Sequence, residues 1–253
     1  MSHGIAIIPA RGGSKRIPRK NLLHIAGRPM IERPITAARS ATGVSHVIVS
    51  TDDDEIAELA LGLGAVVDGR RPDSLAADDT PTAPVVVHEV ERFCEGNEPP
   101  SFIVVLYPSS IFVDSADLDH MIDRLHSTEC PVQMVMTVTK YPAPIERAWL
   151  LGERDLGVVA NPSTRNQQSQ AFPDHYYDVG QAYVSSPSAW HSLSDGRTVP
   201  TALHVLPPWK SWDINTPDDF AMAEVLLRHS TSTGHLARAG ETTSSGTERA
   251  REK

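Results

Sequence analysis

Residues 11–20 concentrate side chains that are well suited to binding phosphate. No Asp or Glu precedes Glu32, and five cations lie within these ten residues: Arg11, Lys15, Arg16, Arg19 and Lys20. Gly12 and Gly13 let the backbone approach a ligand closely, and the hydroxyl of Ser14 can donate to a phosphate oxygen. The pattern predicts a loop that binds a polyphosphate.

The overall charge shows that this basic segment is a local feature. The chain of 253 residues has 23 Lys and Arg against 32 Asp and Glu, a formal net charge of −9. Such an acidic chain is a poor candidate for a nucleic-acid or membrane-surface binder, and the segment lacks interleaved aromatic residues for stacking bases. It contains neither a Walker A motif nor Gly-x-Gly-x-x-Gly, so neither a P-loop ATPase nor a Rossmann dehydrogenase is indicated. The remaining alternative is a solvated basic loop.

Apolar runs that alternate with helical periods indicate how this segment is positioned. Five short apolar runs are predicted as strands: Ile5–Ile8, His46–Ser50, Ala65–Val67, Phe102–Tyr107 and Val132–Val138. Amphipathic helices are predicted over residues 56–63 and 118–125, and Thr216 with Pro217 predicts the start of another. This alternation is typical of a largely parallel α/β sheet, which binds ligands at the carboxyl ends of its strands. The basic segment follows the first strand and is expected at that edge.

Two stretches lie outside the alternation. Residues 140–177 are rich in Pro and Gly and predict an inserted lobe, whereas residues 230–253 predict a flexible polar tail after a domain of residues 1–229. Two cysteines, Cys94 and Cys130, are too few for a disulfide framework or a metal cluster. Without a secretory leader or an apolar run of about 20 residues, the sequence predicts a cytoplasmic protein that does not contact membranes.

Residues 8–21 resemble the N-terminal signature of the CMP-sialic acid synthetase (acylneuraminate cytidylyltransferase) family, and the similarity extends over roughly residues 4–229. Tyr107 and the Asp178-Val179-Gly180-Gln181 element are most similar to the pseudaminic acid cytidylyltransferase branch. The resemblance implies a Rossmann-like, three-layer α/β/α fold of the nucleotide-diphospho-sugar transferase type. It also implies a mostly parallel sheet and a homodimer that forms through the small inserted lobe.

The same resemblance implies the substrates and the site. The substrates would be CTP and a nine-carbon acidic sugar, with Mg²⁺ or Mn²⁺ as cofactor and pyrophosphate as product. The implied catalytic residues are Arg11, Lys20 and Asp213. The implied nucleotide-binding residues are Arg11, Gly12, Gly13, Ser14, Lys15, Lys20, Asn21, Arg71, Tyr107 and Ser109. The implied sugar-binding residues are Tyr107, Lys140, Arg147, Arg165, Gln168 and Gln181, and the implied metal ligands are Asp213 and Asn215.

Three positions depart from the family pattern. Asn215 replaces the second acid of an Asp-x-Asp metal motif, Gln168 stands where arginine is usual, and Ile111 replaces a proline. Mg²⁺ commonly takes only one or two protein carboxylates, so Asn215 is expected to weaken metal binding without abolishing it. Two alternatives to pseudaminic acid transfer remain open. One is the same reaction on neuraminic or legionaminic acid, and the other is a relative that binds CTP but has lost catalysis.

Overall fold

Strand β1 (Gly4–Pro9) leads into the basic segment and is covered on both faces. In the computed structural model, which describes residues 3–14, 16–164 and 166–233, Ile5 and Ile7 face one apolar layer, and Ala6 and Ile8 face the other. All four side chains are fully buried. A strand buried on both faces is typical of a parallel sheet between two helical layers.

The other helices and strands follow in chain order. They are β2 (His24–Ile25), β3 (Arg28–Pro29), α1 (Glu32–Ser40), β4 (Val44–Ser50), α2 (Asp54–Gly62), α3 (Asp73–Ala76), α4 (Thr82–Cys94), β5 (Phe102–Leu106), α5 (Ser115–His126), β6 (Met134–Lys140), β7 (Trp149–Leu151), β8 (Gly157–Val159), β9 (Tyr176–Ser185), α6 (Pro187–Ser194), β10 (Thr201–Val205) and α7 (Pro217–Thr233). Short 3₁₀ turns connect several of them, including one at Lys20–Leu22 at the end of the basic segment.

Six strands form the main sheet in the order β10-β6-β9-β5-β1-β4. Neighbouring pairs are parallel except those that involve β9, which runs antiparallel to both β5 and β6. In β1, Ile7 pairs with Ile48 on one side and with Val105 on the other. The predicted mostly parallel α/β sheet is therefore confirmed, and β1, β4 and β5 end at the same edge.

Two helical layers cover this sheet. One apolar cluster joins α1, α2 and α5 to one face, and a second joins α4 and α6 to the opposite face. The side chains of Ile35, Ile56 and Leu118 anchor the first layer, and those of Val86 and Trp190 anchor the second. The arrangement is the expected three-layer α/β/α architecture.

A third apolar cluster packs α7 against the β2–β3 hairpin. The predicted start of α7 is confirmed, because the backbone N–H of Asp219 donates to the hydroxyl of Thr216, while the Asp219 carboxylate accepts from the N–H of Thr216. The helix ends at Thr233, four residues beyond the predicted domain limit at residue 229. The rest of the predicted tail, residues 234–253, lies outside the described residues.

Several sequence-based boundaries differ from the structure. The predicted strand Ala65–Val67 is wrong in extent, because only Val66 pairs, forming a single bridge with Ile48. Strands β9 and β10 were not predicted. Residues 141–175 form the expected lobe between β6 and β9, and it contains the separate antiparallel pair β7–β8. Within the described ranges, no helix is long and apolar enough to cross a membrane.

Candidate active site

A cavity of about 460 Å³ opens where β1 and β5 end. It brings together residues from four separate segments of the chain, which are residues 9–21, residues 71–85, Tyr107 and Asn215. Seven of the lining residues are among the predicted nucleotide or metal ligands: Arg11, Ser14, Lys20, Asn21, Arg71, Tyr107 and Asn215. Arg16 adds another cation, and the apolar part of the wall includes Leu75 and Val85. The location is the one expected for a ligand of an open α/β sheet.

Carboxylates from the end of β4 and from the α3–α4 connection hold the basic segment in place. The guanidinium of Arg11 contacts Asp78 at 2.6 Å, and the backbone N–H of Gly12 donates to Asp52 at 2.8 Å. A Cβ at residue 12 would lie 2.6 Å from a carboxylate oxygen of Asp53, so this position requires glycine. Because the N–H of Gly12 donates to Asp52, it is not free to bind phosphate. At Gly13, by contrast, a Cβ would meet only open space. Predicted Lys15 lies outside the described residues.

Lys20 and Asn21 connect the basic segment to other parts of the site. The ammonium of Lys20 donates to the backbone carbonyl of Ile214, which joins the segment to the loop before α7. Burial lowers the pKa of Lys20, and the nearby carboxylate of Asp213 partly offsets this effect. The amide nitrogen of Asn21 donates to the carbonyl of Arg11 at 3.0 Å, so this amide braces the loop from within.

Arg71 belongs to a buried polar network that sequence analysis missed in part. Its guanidinium donates to the hydroxyl of Ser50 at 2.9 Å and to the Ser50 carbonyl at 2.5 Å. The same hydroxyl donates to the carboxylate of Glu89 at 2.5 Å. Burial lowers the pKa of Arg71, and the negative charges of Asp52 and Glu89 oppose that shift. Glu89 was not predicted, although an acid among the buried apolar positions of helix α4 was a visible signal.

Tyr107 closes the cavity at the end of β5. Its hydroxyl and that of Thr82 form a 2.5 Å hydrogen bond, and burial raises the pKa of Tyr107. Its ring packs edge-on against Tyr183, whose hydroxyl donates to Asp178 at 2.8 Å. Predicted Ser109 is buried but lies outside the cavity lining.

The loop at residues 206–216 is fixed by contacts on both sides. The ammonium of Lys210 lies 2.6 Å from Asp114 and 2.7 Å from Asp117 on the α5 side. Burial alone would raise the pKa of Asp117, but hydrogen bonds from His204 and Lys210 outweigh it and lower that pKa to about 2. Gln181 donates to the carbonyl of Lys210 at 3.0 Å. These contacts hold the loop that carries Asp213 and Asn215, of which Asn215 lines the cavity and Asp213 does not.

Predicted Gln181 lies beneath the loop at residues 206–216 and outside the cavity lining. It is 1% exposed, and its amide nitrogen donates to the carbonyls of Lys210 and Trp212. Its side chain therefore supports the loop in this structure, and its contact with a sugar stays a prediction.

The other predicted sugar ligands lie in or near the lobe. The ammonium of Lys140 pairs with Asp174 at 2.6 Å, and Arg147 donates to the hydroxyl of Ser169 at 3.0 Å. Lys140 and Ser169 line a separate cavity of about 350 Å³. Exposed Gln168 precedes the 3₁₀ turn that begins at Ser169, and Arg165 lies outside the described residues. None of the described members of this group lines the cavity at the ends of β1 and β5, so their contact with a sugar stays a prediction.

Asp213 and Asn215 offer one carboxylate and one amide oxygen to a divalent cation. One carboxylate oxygen of Asp213 accepts from the N–H of Ile214 at 2.8 Å, and the other accepts from the side-chain amide of Asn215. Within the described residues, no group of three His, Cys, Asp or Glu side chains could hold a metal alone. Mg²⁺ commonly takes one or two protein carboxylates and fills its shell with water and phosphate oxygens, so metal binding here stays a prediction that needs a bound phosphate group.

Comparisons with known proteins identify the family of the chain. A family model described as cytidylyltransferase matches residues 5–147. The pseudaminic acid cytidylyltransferase of Campylobacter jejuni is 29% identical over 224 residues, which are 88% of this chain and 96% of that protein. The CMP-N,N'-diacetyllegionaminic acid synthase of Legionella pneumophila is 28% identical over 228 residues, which are 88% of this chain and 95% of that protein.

Solved structures share the fold. A CMP:2-keto-3-deoxy-manno-octonic acid synthetase, solved in complex with CTP, superposes with a TM-score of 0.66 at 17% identity, covering 90% of this chain and all of that one. A 4-diphosphocytidyl-2C-methyl-D-erythritol synthase from Anaerococcus prevotii superposes with a TM-score of 0.58 at 10% identity and covers 90% of this chain and 99% of that one. At these identities the likeness concerns the fold alone.

We predict that Glu89→Gln lowers the free energy of unfolding by about 1–3 kcal/mol, because it removes a charge that balances buried Arg71. CTP affinity should fall with it, since Arg71 lines the cavity. Urea denaturation and equilibrium CTP binding would measure both effects. Glu91→Gln, an exposed change on the same helix, is the matched control and should stay within about 0.5 kcal/mol of the wild type. Equal stability and CTP affinity for both variants would contradict the role of the network.

Proposed function

Because the chain belongs to the cytidylyltransferase family, we propose that it transfers CMP from CTP to the anomeric hydroxyl of a nine-carbon acidic sugar, pseudaminic acid being favoured. The observation that carries the proposal is the cation-lined cavity at the end of β1, in a chain whose net charge is −9. The names of the Campylobacter and Legionella relatives support this class of sugar.

In the proposed reaction, the sugar hydroxyl attacks the α-phosphorus of CTP. The bond from that phosphorus to the bridging oxygen breaks, and pyrophosphate leaves. Such a transfer depends mainly on positioning and on stabilising the charge that develops on phosphate oxygens. Arg11 and Lys20 are placed for this task, because both line the cavity and carry positive charge. The triphosphate would replace Asp78 as the partner of Arg11, exchanging one anion for another.

We further propose that Asp213 and Asn215 hold Mg²⁺ or Mn²⁺ together with the phosphates. A bound divalent cation would neutralise phosphate charge and lower the pKa of the attacking hydroxyl. The contact between Lys20 and the carbonyl of Ile214 supports this arrangement, since it holds the loop at residues 206–216 beside the basic segment.

The sugar would lie between the nucleotide cavity and the lobe. Tyr107 lines the cavity wall and is the proposed contact that faces both base and sugar. Lys140, Arg147, Arg165 and Gln168 are the proposed lobe residues, and their cations and amide suit a carboxylate and acylamino groups. For Lys140, binding would require exchange of its partner Asp174.

A second candidate is a relative that binds CTP without turning it over. The contact that favours it is the one between the Asn215 amide and the Asp213 carboxylate, because a donated hydrogen bond competes with a metal ion for the same oxygen. A measurement of pyrophosphate release distinguishes the two candidates.

The function is tested by measuring pyrophosphate release from CTP and Mg²⁺ with pseudaminic, legionaminic and neuraminic acids. We expect release that depends on the sugar, with the highest kcat/KM for pseudaminic acid and only background without sugar. A higher kcat/KM for another sugar would correct the substrate. No release with any of the three, while CTP still binds, would favour the relative that has lost catalysis.

Metal dependence is tested in the same assay. Asp213→Ala should lower turnover by two orders of magnitude or more, in line with the loss of about 3 kcal/mol of charge stabilisation. Asn215→Asp should raise the apparent Mg²⁺ affinity, since it restores a second carboxylate. Full turnover by Asp213→Ala, or no change in Mg²⁺ dependence with Asn215→Asp, would contradict the proposed metal site.

The two cysteines and the net charge bear on where the protein is located and what it binds. We propose a cytoplasmic location, supported by the free thiols of Cys94 and Cys130, which a reducing compartment maintains. The net charge of −9 argues against nucleic acid or an anionic membrane as partner.

The lobe is the proposed site of homodimer formation. Its antiparallel pair β7–β8 and the connection between the two strands expose large apolar side chains, with Leu151 79% exposed, Leu156 67% and Trp149 61%. Large apolar side chains clustered at a surface commonly mark an interface between proteins. A second copy of the same lobe would bury them through a two-fold contact.

We predict that the double substitution Leu151→Lys and Leu156→Lys converts a dimer into a monomer, since it places charge in the proposed interface. Sedimentation velocity measures the change. Leu61→Lys, at a 56% exposed position on α2, is the matched control and should remain dimeric. A monomeric wild type, or a lobe variant that stays dimeric, would contradict this interface.

A further inference from the structure

A second basic cavity lies between the β2–β3 hairpin, α1 and α7. It has a volume of about 530 Å³ and shares no lining residue with the nucleotide cavity. Three arginines and one alanine line it: Arg28, Arg33, Arg228 and Ala26. The three arginines come from three different elements, so the fold, and not a single run of sequence, brings them together.

The ion pairs around this cavity leave one arginine without a partner. The guanidinium of Arg28 contacts Glu32 at 3.3 Å, and that of Arg228 contacts Glu224 at 2.8 Å. Arg33 forms no ion pair within the described part of the chain, and its Nε is buried without a hydrogen-bond partner. A buried donor that stays unpaired destabilises the folded state, and an anionic acceptor would relieve this cost.

The surroundings of Arg33 favour the binding of an anion. The side chain is half-buried, and burial together with the adjacent charge of Arg28 lowers the pKa of Arg33. A neighbouring cavity of about 260 Å³ shares Arg28 and Arg33 but is also lined by the carboxylates of Glu32 and Asp114. Among the described residues, the cavity of about 530 Å³ has no acidic residue in its lining and is therefore the one that suits an anion. Guanidinium groups present planar pairs of N–H donors that match the oxygens of phosphate.

We propose that this second cavity binds a small tetrahedral oxyanion of the phosphate class, with Arg33 as the principal contact. Arg28 and Arg228 supply further positive charge from the hairpin and from α7. A bound oxyanion would tie the hairpin and α1 to α7. Because the capping box of Thr216 and Asp219 joins the start of α7 to the loop that carries Asp213, the site would stabilise the packing behind the catalytic loop.

The test is the dependence of Tm on the concentration of inorganic phosphate, with sodium chloride at matched ionic strength as reference and the nucleotide cavity filled by saturating CTP. We expect a saturable rise in the Tm of the wild type. Arg33→Gln should lower the apparent phosphate affinity by about tenfold or more. Arg33→Lys should give an intermediate loss, because it keeps the charge but lacks the planar pair of N–H donors. Arg197→Gln, at an exposed arginine that also pairs with a carboxylate, is the matched control and should bind as the wild type does.

Three outcomes would overturn the proposal. They are an unchanged phosphate dependence in Arg33→Gln, an equal rise in Tm with chloride, and a wild-type effect that disappears once CTP is bound. If Arg33→Gln does not fold, the tenfold loss is expected and measured in Arg28→Gln instead. A parallel titration with pyrophosphate identifies which source of phosphate oxygens binds more tightly. The readout is anion binding and not turnover, so it is independent of the sugar substrate.

Discussion

The basic segment after β1 must remain ordered although its cations repel one another. The structure solves this problem with carboxylates from neighbouring parts of the chain: Asp52 accepts from the backbone of Gly12, and Asp78 pairs with Arg11. Asp53 contacts Arg19, which sits in the left-handed region at φ 55°. These pairs hold the segment in one conformation before a ligand binds, so that less ordering would be needed for the proposed polyphosphate. The rest of the site is arranged around this segment.

Two further sets of contacts fix the other walls of the cavity relative to the basic segment. Hydrogen bonds from Arg71 to Ser50 and from Ser50 to Glu89 connect the cavity wall just before α3 to the end of β4 and to α4. On the other side, Gln181 and the Lys210 ion pairs fix the loop that carries Asp213. Lys20 then joins the two sides through the carbonyl of Ile214. The site therefore depends on buried polar contacts, which lose much of their value if any one member is removed.

Sequence alone located the features that are encoded in contiguous stretches. The apolar runs predicted β1, β4 and β5, and the basic segment predicted one wall of the cavity, because in each case the signal lies within about ten consecutive residues. Strand β9 was missed since its first half is exposed and Gly180, at φ 60°, interrupts its pattern. β10 was missed because only alternate residues are partly buried, and its neighbours come from distant sequence.

The roles of Glu89, Asp78, Thr82 and Gln181 could not be derived from the sequence for the same reason. Each acts through a partner more than 20 residues away, so its role depends on the tertiary fold. Gln181 illustrates the difference, because its motif suggests a ligand contact whereas the fold reveals its hydrogen bonds to the loop that carries Asp213.

The proposed function requires the basic segment to hold the triphosphate of CTP. This is tested by comparing the Kd of CTP with the Kd of CMP, in the wild type and in Arg11→Gln. We expect Arg11→Gln to weaken CTP binding by about tenfold or more and to change CMP binding far less, because CMP lacks the terminal phosphates. An equal loss for both nucleotides, or no loss for either, would contradict it.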